Sequence, residues 1–379
     1  MRRLNGNRHF FEGDTLFVNM GPQHPSTHGV LRLLIETDGE VVTKAEPKIG
    51  YLHRCFEKSA EGVSWEGVIP YTDRMDYVGP IGNEWPYCLA VERLAGIEVP
   101  ERGEYCRVIA AELQRIASHL LAFGTYGLDI GAITPFLHAF RDREKVLDIL
   151  EYVSGARLLY NYIRIGGVVR PFDEKATAMI RDFLSDLATR LPEYHQLLSY
   201  NNIFIERTAG VGVITRDQAL TYNITGPNLR ATGIEWDLRR NDPYGFYDRF
   251  EFDVAVGTGE HGVLGDCWNR YIVRLIEIEE SMRILEQAIT MLPTDGPFWN
   301  YKRNLKVPPG ETYARAESAR GEVGFYVVAN GELKPFRVKA KSPCFCALSG
   351  FPEYGTGMLL ADVVATLGSI DIVLGEVDR

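Results

Sequence analysis

The sequence predicts an α+β fold that is mainly helical: a bundle of long helices, preceded by an N-terminal α/β region whose sheet is joined by a C-terminal hairpin. Three observations predict it. Apolar residues alternate in short runs between Asp14 and about Gly50, they recur at helical spacing from about Asn83 to Leu292, and beyond Pro293 the chain becomes Pro/Gly-punctuated and strand-like. The boundaries that follow are an N-terminal α/β domain over 1–82, a helical bundle over 83–292 and an extended C-terminal region over 293–379.

Thr15-Leu16-Phe17-Val18 and Val30 to Glu36 read as strands on either side of a turn-rich stretch, Gly21-Pro22-Gln23-His24-Pro25-Ser26-Thr27-His28-Gly29. Thr37-Asp38-Gly39 then turns the chain into a further strand at Val41-Val42. In the bundle, Val108, Ala111, Leu113, Ile116, Leu120 and Leu121 form a wide apolar stripe, and Glu144 to Arg164, Asp173 to Tyr200 and Asp266 to Met291 keep the same period. Thr134-Pro135 and Asp173 are helix-start signals. Some of these helices are apolar on more than one face, which predicts an outside covered by other chains. Phe325-Tyr326-Val327-Val328, Asn330-Gly331 and Phe336-Arg337-Val338 carry a hairpin signature, and these strands are expected to extend the N-terminal sheet.

A chain of 379 residues, 45% hydrophobic and 24% charged, can bury a sizeable core without disulfides. Its net charge of -10 opposes a general phosphate-binding surface, so nucleic acid is not an expected partner. The six cysteines are scattered, and the close pair Cys344-Phe345-Cys346 is one residue too tight for a Cys-x-x-Cys knuckle. A reducing compartment and no metal in this chain are expected. Met1-Arg2-Arg3 has no apolar run behind it, so no secretory signal is read there, and no run of about 18 apolar residues predicts a membrane span. Membrane association is expected through partners.

Gly257-Thr258-Gly259-Glu260-His261-Gly262 matches a dinucleotide-binding glycine pattern after a strand-like Phe250 to Val256. The helical pattern from Asp266 to Met291 then runs on where a second strand ending in an acid should come, so the glycines read as a structural turn. His24 and His28 are four apart, yet Pro25 breaks the helix that would put them on one metal-binding face. Turn capping and a polar cavity wall are the readings left. Asp73-Arg74-Met75-Asp76-Tyr77 reads either as a salt-bridged loop or as a reactive cluster. Asp129, among apolar residues near a helix end, either caps that end or needs a cationic partner.

Taken together, Gly21 to Arg32, Asp73 to Tyr77, Ser154-Gly155-Ala156-Arg157, Arg164-Ile165-Gly166-Gly167 and Gly265-Asp266 with Arg270 resemble the 49-kilodalton-type, or D, subunit of proton-pumping NADH:quinone oxidoreductase, respiratory complex I. The likeness runs from about Phe17 to Arg379. That family is itself similar to the large subunit of nickel-iron hydrogenases, whose four metal-binding thiolates fall here on Asp76, Gly79, Val373 and Glu376, so the resemblance implies no nickel site and no hydrogenase activity. The rival from another class is a scaffold subunit of a hydrogenase-like complex.

The resemblance implies a helical bundle with an α/β N-terminal domain and a cavity for the quinone headgroup, beside an iron-sulfur cluster carried by a small partner subunit. His28 and Tyr77 are the implied headgroup ligands, a hydrogen-bond donor for each oxygen of a quinone gaining two electrons. Asp129 is the implied partner of His28, and together these three are the implied catalytic set. Thr125 and His24 are further candidates for the quinone-binding wall. Arg54 and Arg74 are the implied cluster-proximal cations. Where many members carry a cluster-linked histidine, two residues after Arg157, this chain has Leu159. The implied partners are the small iron-sulfur subunit, a 30-kilodalton-type subunit, other peripheral-arm subunits, membrane-arm subunits and quinone. The implied location is the cytoplasmic face of the cell membrane, or the matrix side in a mitochondrion.

Overall fold

Four antiparallel strands in chain order form the N-terminal sheet: β1 (Phe10–Glu12), β2 (Thr15–Met20), β3 (Arg32–Asp38) and β4 (Val41–Lys48). The computed structural model describes residues 10–12, 15–23 and 29–379. Along β3, Leu33, Ile35 and Thr37 are buried while their neighbours are not, the alternation of a sheet with one covered face.

Two short helices, α1 (Phe56–Ala60) and α2 (Ile69–Asp73), lead into three long ones, α3 (Pro80–Ala95), α4 (Glu101–Asp129) and α5 (Ile133–Ser154). The helix expected over Glu144 to Arg164 ends at Ser154 because Gly155 takes a left-handed conformation, φ 86°, that stops it. A small hairpin, β5 (Ile163–Arg164) and β6 (Gly167–Val168), fills the remainder. Asp173 starts α6 (Glu174–Tyr194) by accepting a hydrogen bond from the Ala176 amide at 2.8 Å. Four short helices follow, α7 (Asn202–Thr208), α8 (Arg216–Thr221), α9 (Pro227–Arg230) and α10 (Leu238–Asn241), before α11 (Cys267–Met291), which Asp266 caps. Phe250 to Val256 pairs with no strand among the described residues. A Cβ on Gly257 would stand 2.5 Å from the Ala231 carbonyl oxygen, and one on Gly262 would meet the capping carboxylate of Asp266 at 2.1 Å. The glycines serve close packing, as a structural turn requires.

α4 is buried along nearly its whole length by this chain's own elements. Its charged residues are buried too and are paired within the chain: Arg115 donates to the Ser318 and Glu317 carbonyls at 2.9 and 2.6 Å, and His119 meets Glu277 at 2.7 Å. Periodicity reports apolar faces and is blind to a helix whose charges are satisfied internally.

The C-terminal strands give a correction. β7 (Gly310–Ser318), β8 (Gly321–Ala329) and β9 (Arg337–Lys341) form their own three-stranded sheet and do not join the N-terminal one. β8 pairs with β7 on one edge and β9 on the other, so no edge of β8 remains for another partner. The predicted hairpin is present, with Val328 opposite Arg337, but β7 lies outside its signature. What covers the N-terminal sheet is helical. α12 (Pro343–Ser349), α13 (Phe351–Tyr354), α14 (Leu360–Ser369) and α15 (Leu374–Asp378) close a second core in which Leu33, Ile35 and Val42 meet Phe351, Leu367 and Leu374. Among the described residues no helix is long and apolar enough to cross a membrane.

Candidate functional site

The turn between α2 and α3 is set by Asp76. Its buried carboxylate accepts from the Val78 and Gly79 amides at 3.0 and 3.1 Å, and Pro80 then opens α3. This fixes Tyr77, half-buried, with a phenol that makes no hydrogen bond to any described residue. Burial first, and then the Asp76 carboxylate, hold the Tyr77 phenol above its ordinary value against the opposing pull of Arg320 and Arg54. At neutral pH Tyr77 is therefore a donor with a proton to give.

The second oxygen of Asp76 accepts from Arg320 at 2.8 Å. Arg320 sits in the tight turn between β7 and β8, where the Ser318 hydroxyl donates to the Gly321 carbonyl and accepts from the Arg320 amide. Its guanidinium donates to Asp76, to the Ser118 hydroxyl of α4 at 3.0 Å, to the Asp371 backbone carbonyl at 3.0 Å and to the Asp371 carboxylate at 3.4 Å. Gly79, Val373 and Glu376 belong to the same neighbourhood. A Cβ on Gly79 would lie 2.7 Å from Asp76 Oδ2 and 3.6 Å from Arg320 Nη1, the Val373 amide donates to Cys344 Sγ at 3.4 Å, and Glu376 lies beside that thiol and Asp76. Among the described residues no group of three His, Cys, Asp or Glu side chains is placed to hold a metal ion.

Gly375 joins this cluster to a surface cavity. A Cβ there would stand 3.4 Å from Tyr77 Cδ1 on one side and 3.2 Å from Arg54 Nη2 on the other. The cavity, about 190 Å³, is lined by Arg54, Arg74, Arg379, Phe56, Tyr71, Met75 and Gly375. Arg54 donates to the Arg74 carbonyl at 2.7 Å, and Arg74 pairs with Asp73 at 3.2 Å. Three guanidinium groups thus face one hollow directly behind the Tyr77 turn.

Asp129 is half-buried at the last turn of α4, where a Cβ on Gly368 of α14 would come within 2.8 Å of its Oδ2. Thr125, one turn earlier, donates its hydroxyl back to the Leu121 carbonyl at 2.9 Å. His24 and His28 lie outside the described residues. At Gly29, which is described, an added Cβ would meet Leu374 of α15 at 3.5 Å. Leu159 is half-buried in a left-handed conformation, φ 59°. Beside it, burial pushes up the buried Tyr160 phenol, whose hydroxyl has no partner among the described residues.

Sequence reasoning missed Arg320, Asp371 and Cys344 as parts of this cluster. A clue was present for the last, since Ser342-Pro343 ahead of it is a helix start that buries position 344. Arg320 and Asp371 carry no local signal, because their meaning lies wholly in contacts across the fold.

The family described as respiratory-chain NADH dehydrogenase, 49 Kd subunit, matches residues 129–304 and 295–379. The chain is 50% identical over 370 residues to the D subunit of NADH-quinone oxidoreductase from Chlorobium chlorochromatii, covering 97% of this chain and 92% of that protein. It is equally similar, 50% over 369 residues, to the protein of the same name from Chlorobaculum tepidum, covering 96% and 92%.

Proposed function

The chain belongs to the 49-kilodalton subunit family of the respiratory-chain NADH dehydrogenase, and on that premise we propose that it builds, with a small iron-sulfur subunit, the site at which a quinone is reduced. The observation that carries this reading is the phenol of Tyr77, held protonated and unengaged by any described residue, one glycine away from a cavity faced by three arginines. A quinone taking up two electrons gains negative charge on both carbonyl oxygens, and a fixed donor at each lowers the barrier. Tyr77 donates at one oxygen and His28, oriented by Asp129, at the other. Thr125 and His24 are the further residues of this reading's quinone-binding wall. Arg54 and Arg74 face the iron-sulfur cluster of the partner, where fixed positive charge favours its reduction.

In this reading the chain is a peripheral-arm subunit. It contacts the small iron-sulfur subunit, a 30-kilodalton-type subunit and membrane-arm subunits at the cytoplasmic face of the membrane, and quinone reduction is coupled there to proton translocation. The grouping of Asp76, Gly79, Val373 and Glu376 in one neighbourhood supports descent of this site from a hydrogenase-like metal centre.

Tyr77→Phe tests the reading. The purified complex is expected to assemble normally, to keep electron flow from NADH to an artificial acceptor, and to lose quinone reduction by on the order of tenfold or more for one missing donor. Equal loss of both activities, or of neither, refutes the assignment.

A further inference from the structure

Cys55 is the exposed thiol among the six cysteines: Cys88, Cys106, Cys267 and Cys344 are buried and Cys346 is half-buried. The segment that carries it, between β4 and α1, is fastened to α15. The Asp378 carboxylate accepts from the Gly50 and Leu52 amides at 2.8 and 2.6 Å, and the Arg54 amide donates to the Arg379 carbonyl at 3.3 Å. His53 is held in the same way, its Nδ1 standing 2.7 Å from the Asp378 backbone carbonyl oxygen. A carbonyl oxygen only accepts, so Nδ1 carries the ring proton and Nε2 of the neutral imidazole presents a lone pair. That Nε2 stands 3.5 Å from Cys55 Sγ, within reach of the thiol proton. A nucleophile, its base and a third group that fixes the base's tautomer are together the arrangement that activates a thiol. The backbone at Cys55 is left-handed, φ 54°, a conformation that is unfavourable for a residue with a Cβ. Beside the thiol lies a place for anions. Its two chain neighbours, Arg54 and Phe56, line the cavity of about 190 Å³ together with Arg74 and Arg379. Among the described residues the acids paired with these three guanidinium groups are Asp73, 3.2 Å from Arg74, and Glu57, 3.7 Å from Arg379. Glu57 is also shared with Lys339 at 3.0 Å, so the hollow keeps an excess of positive charge.

We propose that Cys55, with His53 as its base, is a modification site that forms a mixed disulfide with a small anionic disulfide, whose carboxylates rest on the arginines of the adjoining hollow. The thiol proton passes to His53 Nε2, and the sulfur attacks one sulfur of the incoming disulfide. The old S–S bond breaks as the new one forms at Cys55, and the departing thiolate takes the proton back from His53. Cys55 is oxidised, the released half of the disulfide is reduced to a thiol, and an excess of free thiol reverses the step. The reading above commits Arg54 and Arg74 to the partner's cluster, so the reaction belongs to the chain before it docks. The reaction itself does not depend on that reading.

The test treats the full chain, without partner subunits, with oxidised glutathione at pH 7 and follows the adduct by intact mass and peptide mapping, with circular dichroism confirming that each variant is folded. One glutathionyl group is expected, on Cys55, removed by excess reduced glutathione and absent from Cys55→Ser. His53→Gln, whose amide can still donate to the Asp378 carbonyl but takes no proton, is expected to react more slowly by on the order of tenfold. The role of the hollow is read from the charge of the reagent. The rate with anionic oxidised glutathione, divided by the rate with the cationic disulfide cystamine, is expected to be on the order of tenfold higher for the folded chain than for the chain in denaturant. No adduct, an adduct spread over the other cysteines, or a native rate in His53→Gln overturns the assignment of Cys55 and His53. A ratio equal to that in denaturant overturns the part given to the arginines.

Discussion

Gly375→Ala alters no chemical group at the site, yet it should disable quinone reduction. The added methyl would sit 2.7 Å from the Met75 carbonyl oxygen, about 0.7 Å inside ordinary contact, and 3.4 Å from Tyr77 Cδ1. The Arg54 guanidinium, 3.2 Å away, is the free end of a long side chain and yields cheaply. The Met75 carbonyl does not, because the next residue, Asp76, is fixed by two amides and by Arg320. The strain is therefore relieved by displacing α15 from the Tyr77 turn by a good fraction of an ångström. Overpacking of this kind costs about 1–3 kcal/mol. Misplacement by about 1 Å can cost a hundredfold in rate, so a shift somewhat smaller should cost on the order of tenfold. The assay is quinone reduction by the purified complex at saturating quinone, set against electron flow to an artificial acceptor, with the melting temperature of the complex recorded alongside. A native rate of quinone reduction at a native melting temperature would refute the view that α15 positions Tyr77.

Two further outcomes follow from the buried charges. Arg320→Met leaves Asp76 and Asp371 without their shared cation, apart from Arg274 at 3.7 Å from Asp371, and should destabilise by about 3–5 kcal/mol, seen as a large fall in melting temperature or failure to assemble. Glu376 binds its proton more tightly in the folded chain, up to about 8, than an ordinary carboxyl near 4.5. Between those two values the folded state holds a proton that the unfolded state has released, so the contribution of Glu376 falls as pH rises and is fully lost above about 8. The melting temperature of Glu376→Gln relative to the native complex should therefore climb from pH 5 to pH 8 and then level, and a difference that is constant with pH would count against a raised titration.

Local chemistry made much of the fold legible. Asp173 caps the helix it was expected to start, α5 begins at Ile133 just ahead of the expected Thr134-Pro135, and the alternation in β3 marks its covered face. What failed did so where long-range pairing decides. The C-terminal hairpin is legible, but which sheet it joins depends on β7, a strand whose buried side is mostly alanine, with Ala314 and Ala316. Alanine is small and carries little strand signal. At the site, Tyr77, Asp129, Arg54 and Arg74 are proposed because they lie in motifs, and His24 and His28, proposed on the same ground, lie outside the described residues. Glu376 reads in sequence as an absent thiolate and not as an acid, since nothing adjacent to it tells that both its oxygens will be buried without partners. Leu159 in sequence only lacks a titrating group; its φ of 59° adds that the position already strains a leucine and would suit a histidine better.

The Asp76–Arg320 pair also bears on when the site comes into being. Its two members are separated by 244 positions in the chain. Helices α3 to α5 are neighbours in sequence and can zip together on local contacts, whereas this pair closes a loop of nearly two-thirds of the chain and has to wait for the strands that deliver Arg320. Before that closure the Tyr77 turn would have its amide bonds from Asp76 but no guanidinium behind them. A partner subunit that docks at the Arg54 cavity meets its surface complete only after that late closure, because Arg379 and Gly375 arrive with it. Folding order would then act as a checkpoint, admitting to assembly only chains whose Asp76–Arg320 pair is already in place.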